Sequence, residues 1–520
     1  MNPKLPEALQ DLKKRPLKIC ILNPNFNNSG SILADCDPAK DPRPSLPSIL
    51  PWTWKMHYID KAVSHSQLQK IREGNFDIYF NFCDGGFDED CAGLDLIKAL
   101  EYFNLPYVGC DSKFFARTKK SMKRMFTSCG IPTPAYHFAY NEQDIESAVK
   151  RLKNYPLIVK HFDGYSSVGM TQKSRVCNKE ELREQARLLI KEYGGALIEE
   201  YIEGDEYTVL VLANIENSQE PIVLDPVKME FEAGETFKHF ELKNIYYEGY
   251  DAGAVRSEEL KAKLKELAKN TFLWWDENAS FGRLDIRVNK AGEIFVLEIN
   301  ASPSIFYPSI DIHGSADLII KNDPNWGFEK TILYMIHMAF VLHERKQKPY
   351  NISYREGSNI LGMFALRDIK AGELIRSDEG KPVNIISKKS AEKKFTGVHK
   401  DWFKRYAIPV NDGLYSIPSE DLELWEPLNH SCEPNVWYRE GELALEAMKD
   451  IKAGEEILID YCVLWSDEEM KFECDCGSRG CRKIVNGLDY QKKELIELYN
   501  GHFYIPVQNK VDKMLVCKKE

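Results

Sequence analysis

Three thiols fall within eight residues at Cys474-Asp475-Cys476-Gly477-Ser478-Arg479-Gly480-Cys481. Thiolates this close repel one another unless a cation neutralises them, and tetrahedral zinc takes four ligands, so a fourth is expected from elsewhere in the chain. Cys432, within Asn429-His430-Ser431-Cys432-Glu433-Pro434-Asn435, is the candidate. A second kind of chemistry is written into YPLIVKHFDGYSSVGM (155–170), where Lys160 sits in an apolar run and leads into a Gly164-Tyr165-Ser166-Ser167-Val168-Gly169 loop. Such a loop can lay amides and hydroxyls over phosphates while the lysine offers a point charge. Asp285, Glu298 and Asn300 are hard oxygen donors of the type magnesium takes beside nucleotide phosphates. Glu298 and Asn300 are two residues apart, so a strand would point both to one face.

The elements that must position these groups can be read from periodicity. In the first 345 residues the apolar runs LKICIL, DIYFNF, PLIVKHF, ALIEEYI, YTVLVLAN and EIFVLEIN alternate with helical stretches, which predicts α/β architecture. One helix is expected over 179–193, with Leu182, Ala186, Leu189 and Tyr193 as its apolar stripe and Gly194 as its stop. The last helix of this half is expected over 328–345, and the polar stretch His343 to Tyr350 is the expected joint. The proline-rich stretch Asp37 to Pro51 reads as an extended loop near the site. Beyond the joint, short apolar strands broken by Gly, Asn and Pro (NILGMFAL, GLYSIP, EILIDYCVLW) predict a mostly β fold. The lysine-rich KKSAEKK reads as a solvated helix face.

In this C-terminal part NHSCEPN resembles the SET-domain signature and ECDCGSRGCR resembles the post-SET motif. GSNILGMFALRDIKAGELI (357–375) looks like the opening SET hairpin, and DIKAGEEILIDY (450–461) like the segment carrying the catalytic tyrosine. The resemblance implies S-adenosylmethionine as cofactor, held by Asn429, His430 and Gly362, and a zinc ion on Cys432, Cys474, Cys476 and Cys481. It makes Tyr461 the residue that orients an acceptor amine. In-line methyl transfer needs a neutral amine close to the sulfonium methyl, and desolvation lowers an amine's pKa, so Trp437, Tyr438 and Trp465 are expected as channel walls. Two departures stand out: Ile360 replaces the first glycine of the opening loop, and Lys483 follows Arg482 where the family has glycine.

The stretch 75–305 resembles ATP-grasp enzymes, most closely D-alanine–D-alanine ligases. CDGGFDEDCAG looks like their HGxxGEDG segment, and GIPTPAY (130–136) like the start of the nucleotide subdomain. Carried over by position, the resemblance implies that Lys119, Lys160 and Lys243 bind ATP phosphates under the loop of Ser166 and Ser167. The Glu199 to Ile202 segment would take the adenine and Glu206 the ribose. Asp285, Glu298 and Asn300 would hold Mg2+, and Arg283 would stabilise the transition state. The reaction implied is activation of a carboxylate substrate as an acyl phosphate, followed by attack of an amine. The first strand leads into NPNFNNSGSILADCDP where the family has a glycine-rich, glutamate-containing loop, and Ser304 replaces a glycine after Pro303, so the substrate expectation moves away from D-alanine.

The implied fold is therefore an α/β ATP-grasp module followed by a mostly β SET domain with a post-SET zinc site. Expected boundaries are a preATP-grasp subdomain at 1–130, two α+β nucleotide and catalytic subdomains at 131–345, SET at 350–470, the zinc motif at 471–490 and a tail at 491–520. The formal charge of −11 divides as −6 over 1–350 and −5 over 351–520, so neither half has the basic excess of a nucleic-acid binder. The start MNPKLPEALQDLKKRPLKIC lacks a secretory pattern, and Thr331 to His343 falls short of the roughly 20 residues of a membrane span. An intracellular chain with reduced thiols is expected, with cytoplasm and nucleus both open. The expected partners are a lysine-containing protein or small amine and a carboxylate, without nucleic acid or membrane, and the ligase resemblance suggests a homodimer. The alternative reading keeps only the SET half catalytic, on histone or other protein lysines, with the ATP-grasp half as a nucleotide-binding or recognition module.

Overall fold

The computed structural model describes residues 5–517 except 28–30, 35–37, 86–90, 245–249, 275–279, 308–313, 359, 379–383, 398, 401–402, 404–406, 412 and 418–425. The chain divides into two compact units, Met1–Lys346 and Gln347–Glu520.

The first unit opens with helix α1 (Leu5–Lys14) and a parallel sheet of β1 (Leu17–Pro24), β2 (Trp52–Ile59), β3 (Ile78–Asn81) and β4 (Tyr107–Val108), ordered β2-β1-β3-β4. The run LKICIL is apolar without alternation because β1 is buried on both faces, as a central parallel strand must be. Between these strands lie α2 (Ser64–Ile71) and α3 (Leu94–Tyr102); α4 (Ser112–Phe115) and α5 (Lys119–Ser128) follow the sheet. Thr118 caps α5 by accepting from the Ser121 amide at 3.2 Å, which starts the helix where Lys119 and Lys123 share one face.

A second sheet, ordered β5-β8-β6-β7, is built from β5 (Tyr136–Ala139), β6 (Leu157–His161), β7 (Arg175–Val176) and β8 (Ala196–Glu200). It is backed by α6 (Glu142–Arg151) and α7 (Lys179–Tyr193). α7 has the expected bounds: Asn178 caps the Glu181 amide at 2.9 Å, Leu182, Ala186 and Leu189 are buried, and Gly194 ends it at φ 82°. Tyr193 is only partly buried.

The third sheet contains β9 (Gly204–Leu212), β10 (Ile222–Val223), β11 (Val227–Phe231), β12 (Tyr250–Ala254), β13 (Phe281–Asn289) and β14 (Ile294–Asn300). Its order is β12-β11-β9-β13-β14, with β10 on β9. α8 (Phe240–Asn244), α9 (Glu258–Leu273), α10 (Ser315–Asn322) and α11 (Gly327–Lys346) complete the unit.

The second unit begins with β15 (Tyr350–Tyr354), β16 (Leu361–Ala365), β17 (Leu374–Ser377) and β18 (Asn384–Ser387), followed by α12 (Lys388–Lys394). α12 is KKSAEKK, with only Ala391 buried, so its lysines do form a solvated face. Then come β19 (Ile408–Asn411), β20 (Leu414–Ile417), β21 (Asn429–His430), β22 (Val436–Tyr438), β23 (Ala444–Ala447), β24 (Glu456–Ile459), β25 (Lys471–Glu473) and β26 (Ile484–Asn486). Strand order β15-β16-β24-β21 lays the Asn429-His430 pair parallel to β24, opposite Leu458 and Ile459. The stretch expected as a tail is folded: α13 (Lys493–Tyr499), α14 (Ile505–Cys517) and the turn between them bury Tyr499, Phe503, Val507 and Val511 in the unit's core. Short helices with intermittent apolar residues hide their periodicity, which is why the sequence read as a tail.

Candidate functional site

In the first unit most of the groups singled out from sequence lie on strands of the second and third sheets. β13 and β14 pair antiparallel with Arg283 opposite Asn300 and Asp285 opposite Glu298, so the oxygen donors occupy facing registers. Asp285 is buried and fully engaged: Arg283 Nε and Nη2 donate to it at 3.0 and 2.8 Å, Thr208 Oγ1 at 2.8 Å and Asn300 Nδ2 at 3.0 Å. Burial alone would raise its pKa, but the Arg283 guanidinium and the Lys238 charge hold it well below the carboxylate range. Glu298 ion-pairs Lys119. Burial pushes the Glu298 carboxyl up, and the charges of Lys119 and Lys160 outweigh it, so its pKa is lowered.

Lys160 on β6 ion-pairs Glu199 on the adjacent β8, and Lys123 of α5 reaches the other Glu199 oxygen at 2.5 Å. Glu199 is 1% exposed; desolvation would raise it, but the two ammonium groups bring it down to about 2. Lys123 is lowered to about 8, because desolvation exceeds the pull of Glu199. Its ammonium donates to Thr133 Oγ1 at 2.7 Å, and that hydroxyl donates to the Val296 carbonyl at 2.9 Å on β14.

Glu206 on β9 lies 3.2 Å from Lys238 and 3.9 Å from Arg287, whose guanidinium stacks 4.6 Å from the Tyr201 ring. Ile202 is buried in the turn between β8 and β9. Ser166 and Ser167 take left-handed φ values of 52° and 58°, rare for residues with a Cβ, and Ser167 Oγ donates to the Lys238 carbonyl at 3.1 Å. The segment resembling HGxxGEDG is described only at its flanks, where Gly85 and Gly93 form a bridge so close that a Cβ on Gly93 would lie 1.8 Å from the Gly85 carbonyl oxygen. The Lys243 side chain lies outside the described residues. Lys123, Lys238, Thr208 and Arg287 were missed from sequence. Lys123 alone had a usable signal, its i+4 spacing from Lys119.

In the second unit Tyr461 lies two residues beyond β24, after Asp460, and is 7% exposed. Its hydroxyl donates to the Leu428 carbonyl at 2.9 Å, and its amide donates to His430 Nδ1 at 3.1 Å. The rings against it are Trp465 at 4.8 Å, His430 at 5.2 Å and Phe472 at 5.9 Å. Of the expected wall residues, Trp465 is thus beside the tyrosine. Trp437 instead stacks on His502 at 3.7 Å, and Tyr438 packs against Tyr504. Phe472 was not anticipated. Asn429 Nδ2 donates at 2.8 Å both to the Leu361 carbonyl and to Glu456. A Cβ on Gly362 would meet Glu456 Oε1 at 2.4 Å and Asn429 Nδ2 at 3.1 Å, so a larger residue there would displace those two side chains.

The sulfurs of Cys432, Cys474, Cys476 and Cys481 all lie within 4.8 Å of one another, with Cys432 and Cys474 at 3.9 Å. A tetrahedron with Zn–S of about 2.3 Å puts sulfurs about 3.8 Å apart, so this donor set fits zinc. Arg482 ties the cluster to the tyrosine segment: its amide donates to Cys432 Sγ at 3.4 Å and its guanidinium makes two 2.6 Å bonds to the fully buried Asp460. Lys483 holds φ 66°, the left-handed conformation that suits the glycine expected there. Lys483→Gly should therefore stabilise this unit by about 1 kcal/mol, read as a higher denaturant midpoint.

The family model described as "D-ala D-ala ligase C-terminus" matches residues 125–310, and the SET domain model matches 360–462. The D-alanine–D-alanine ligase of Aquifex aeolicus is 31% identical over 242 residues, covering 45% of this chain and 75% of that protein. The chain belongs to the D-alanine–D-alanine ligase family. To its ligase-family unit is fused a SET domain, and both families are families of enzymes. D-alanine–D-alanine ligase B of Chromobacterium violaceum is 29% identical over 244 residues, 46% of this chain and 75% of that protein. The solved D-alanine–D-alanine ligase of Coxiella burnetii superposes with a TM-score of 0.47 at 18% identity, over 65% of this chain and 97% of that one. ATP-grasp ligases of this family use ATP and Mg2+, and SET domains use S-adenosylmethionine. No helix among the described residues is long and apolar enough to cross a membrane.

Proposed function

We propose that this chain joins an ATP-dependent carboxylate–amine ligase to an S-adenosylmethionine-dependent lysine or amine N-methyltransferase. The ligase reading is carried by four groups of ion pairs in the first unit. Lys119, Lys123, Lys160, Lys238, Arg283 and Arg287 are interleaved there with Glu199, Glu206, Asp285 and Glu298, an excess of two positive charges among these groups. That excess suits a polyphosphate. Lys160, and Lys119 once released from Glu298, serve the phosphates under the Ser166-Ser167 loop. Glu199 to Ile202 borders the adenine and Glu206 the ribose. Glu298, Asn300 and, once one of its four donors gives way, Asp285 are the residues to hold magnesium, which when bound neutralises charge on the transferring phosphoryl group. Arg283, anchored by Asp285, offers fixed positive charge to the same group. The substrate class is a carboxylate and an amine. D-alanine is the substrate named in the relatives, and the first-strand loop NPNFNNSGSILADCDP and Ser304 depart from their pattern.

For the second unit the supporting observation is the parallel pairing that seats Asn429 and His430 beside Tyr461. S-adenosylmethionine supplies the methyl group when bound, and Gly362, Asn429 and His430 are the residues to hold it. The buried Tyr461, walled by Trp465 and Phe472, excludes water and favours the neutral amine that attack requires. The boundaries given from sequence for 1–130, 131–345, 350–470 and 471–490 belong to this same reading.

The test is transfer of labelled methyl from S-adenosylmethionine to core histones, bulk protein and a small-molecule extract, with Tyr461→Phe alongside. Tyr461-dependent label on a protein band supports protein lysine as acceptor, and label confined to small molecules supports a two-step biosynthetic enzyme. No label on any acceptor, or label unaffected by Tyr461→Phe, overturns the methyltransferase reading.

A further inference from the structure

Two lysines one turn apart on α5 hold carboxylates on two different sheets. Lys123 pairs with Glu199 on β8, and Lys119 with Glu298 on β14. The two carboxylates are supplied differently. Glu199 has a lysine on each oxygen and is sealed from water at 1% side-chain exposure. Glu298 is 27% exposed, ion-pairs with Lys119 alone among the described residues, and feels the repulsion of Asp285 as well as the more distant pull of Lys160. Under the nucleotide reading above, on which this inference rests, Glu298 holds a divalent cation and Lys119 serves phosphate. Neither can act while each occupies the other.

We infer that Lys119 is a resident stand-in for the divalent cation at Glu298, withheld from phosphate until a cation takes that carboxylate. A carboxylate beside Asp285 in a partly desolvated site needs a counter-charge, and in the nucleotide-free protein the ammonium provides it. A divalent ion carries twice the charge and prefers the same hard oxygen, and two cations on one carboxylate repel. The flexible four-carbon stem lets Lys119 leave. Metal-free nucleotide, in contrast, must break the pair and face a bare Glu298 carboxylate. Lys160 is exempt, because its partner Glu199 is also held by Lys123.

The test is ATP binding by calorimetry on the full chain in EDTA, compared across wild type, Lys119→Met, Glu298→Gln and the double variant. Glu298→Gln should tighten metal-free ATP binding about tenfold, the worth of one charge-assisted contact regained. Adding Lys119→Met should remove that gain, whereas Lys119→Met alone should shift metal-free binding by less than about twofold. Asp285→Asn removes the same charge without releasing Lys119, so its effect should not depend on Lys119. Glu298→Ala gives an independent cycle where the amide variant melts early. An additive cycle, or a tenfold loss on Lys119→Met alone without metal, overturns the inference while leaving ATP–magnesium binding in place. Failure of wild type to bind ATP even with magnesium overturns the nucleotide reading and this inference with it.

Discussion

Cys474→Ser should abolish methyl transfer while leaving ATP turnover intact. Structural zinc sites contribute on the order of 10 kcal/mol of apparent binding energy, more than a domain's usual margin of stability. Here the four sulfurs join Cys432, next to the Asn429-His430 pair, to the β25–β26 hairpin, whose Phe472 lies against Tyr461. Losing the ion would therefore loosen one wall of the tyrosine pocket and the cofactor-side strand together. Elemental analysis should give one zinc per chain in the purified protein and less in the variant, and strong chelators should reproduce the loss. A zinc-free protein that still transfers methyl groups would refute the structural role of the cluster.

Glu298→Gln should lower ATP turnover by about a thousandfold, roughly 4 kcal/mol of transition-state stabilisation, with methyl transfer unchanged. Glutamine keeps the size of the side chain and removes the charge that a divalent ion needs. The same variant is expected to tighten metal-free ATP binding, so binding and turnover should move in opposite directions. Phosphate release with a carboxylate and amine mixture is the readout. Turnover within a few-fold of wild type would remove Glu298 from the metal site.

Much of this was legible because the informative residues sit in unbroken strands. Lys160 interrupts an apolar run, and Glu298 and Asn300 keep a two-residue alternation, so both position and face followed from the sequence. What was hidden are groups that act across elements. Lys123 looks like one more residue in a lysine-rich helix until β8 is folded beside it, and Lys238 gives no periodic signal before it meets Glu206. Trp437 shows the opposite error: aromatic residues near a motif looked like pocket walls, but its indole is already taken by His502. The folded helices α13 and α14 are short, and their apolar residues show a buried face only in tertiary context.

The cluster's spacing along the chain has a consequence for biosynthesis. Cys432 leaves the ribosome 42 residues before Cys474 and 49 before Cys481, whereas the unit ending at Lys346 draws its core entirely from earlier residues. Domains fold largely in order of synthesis, so the ligase-family unit should mature first, and the SET unit, if its four cysteines take zinc, should wait for its last hairpin and a metal ion. A cell short of zinc would then accumulate full-length chains with one activity mature and the other stalled, and supply of a micronutrient would set the ratio between them.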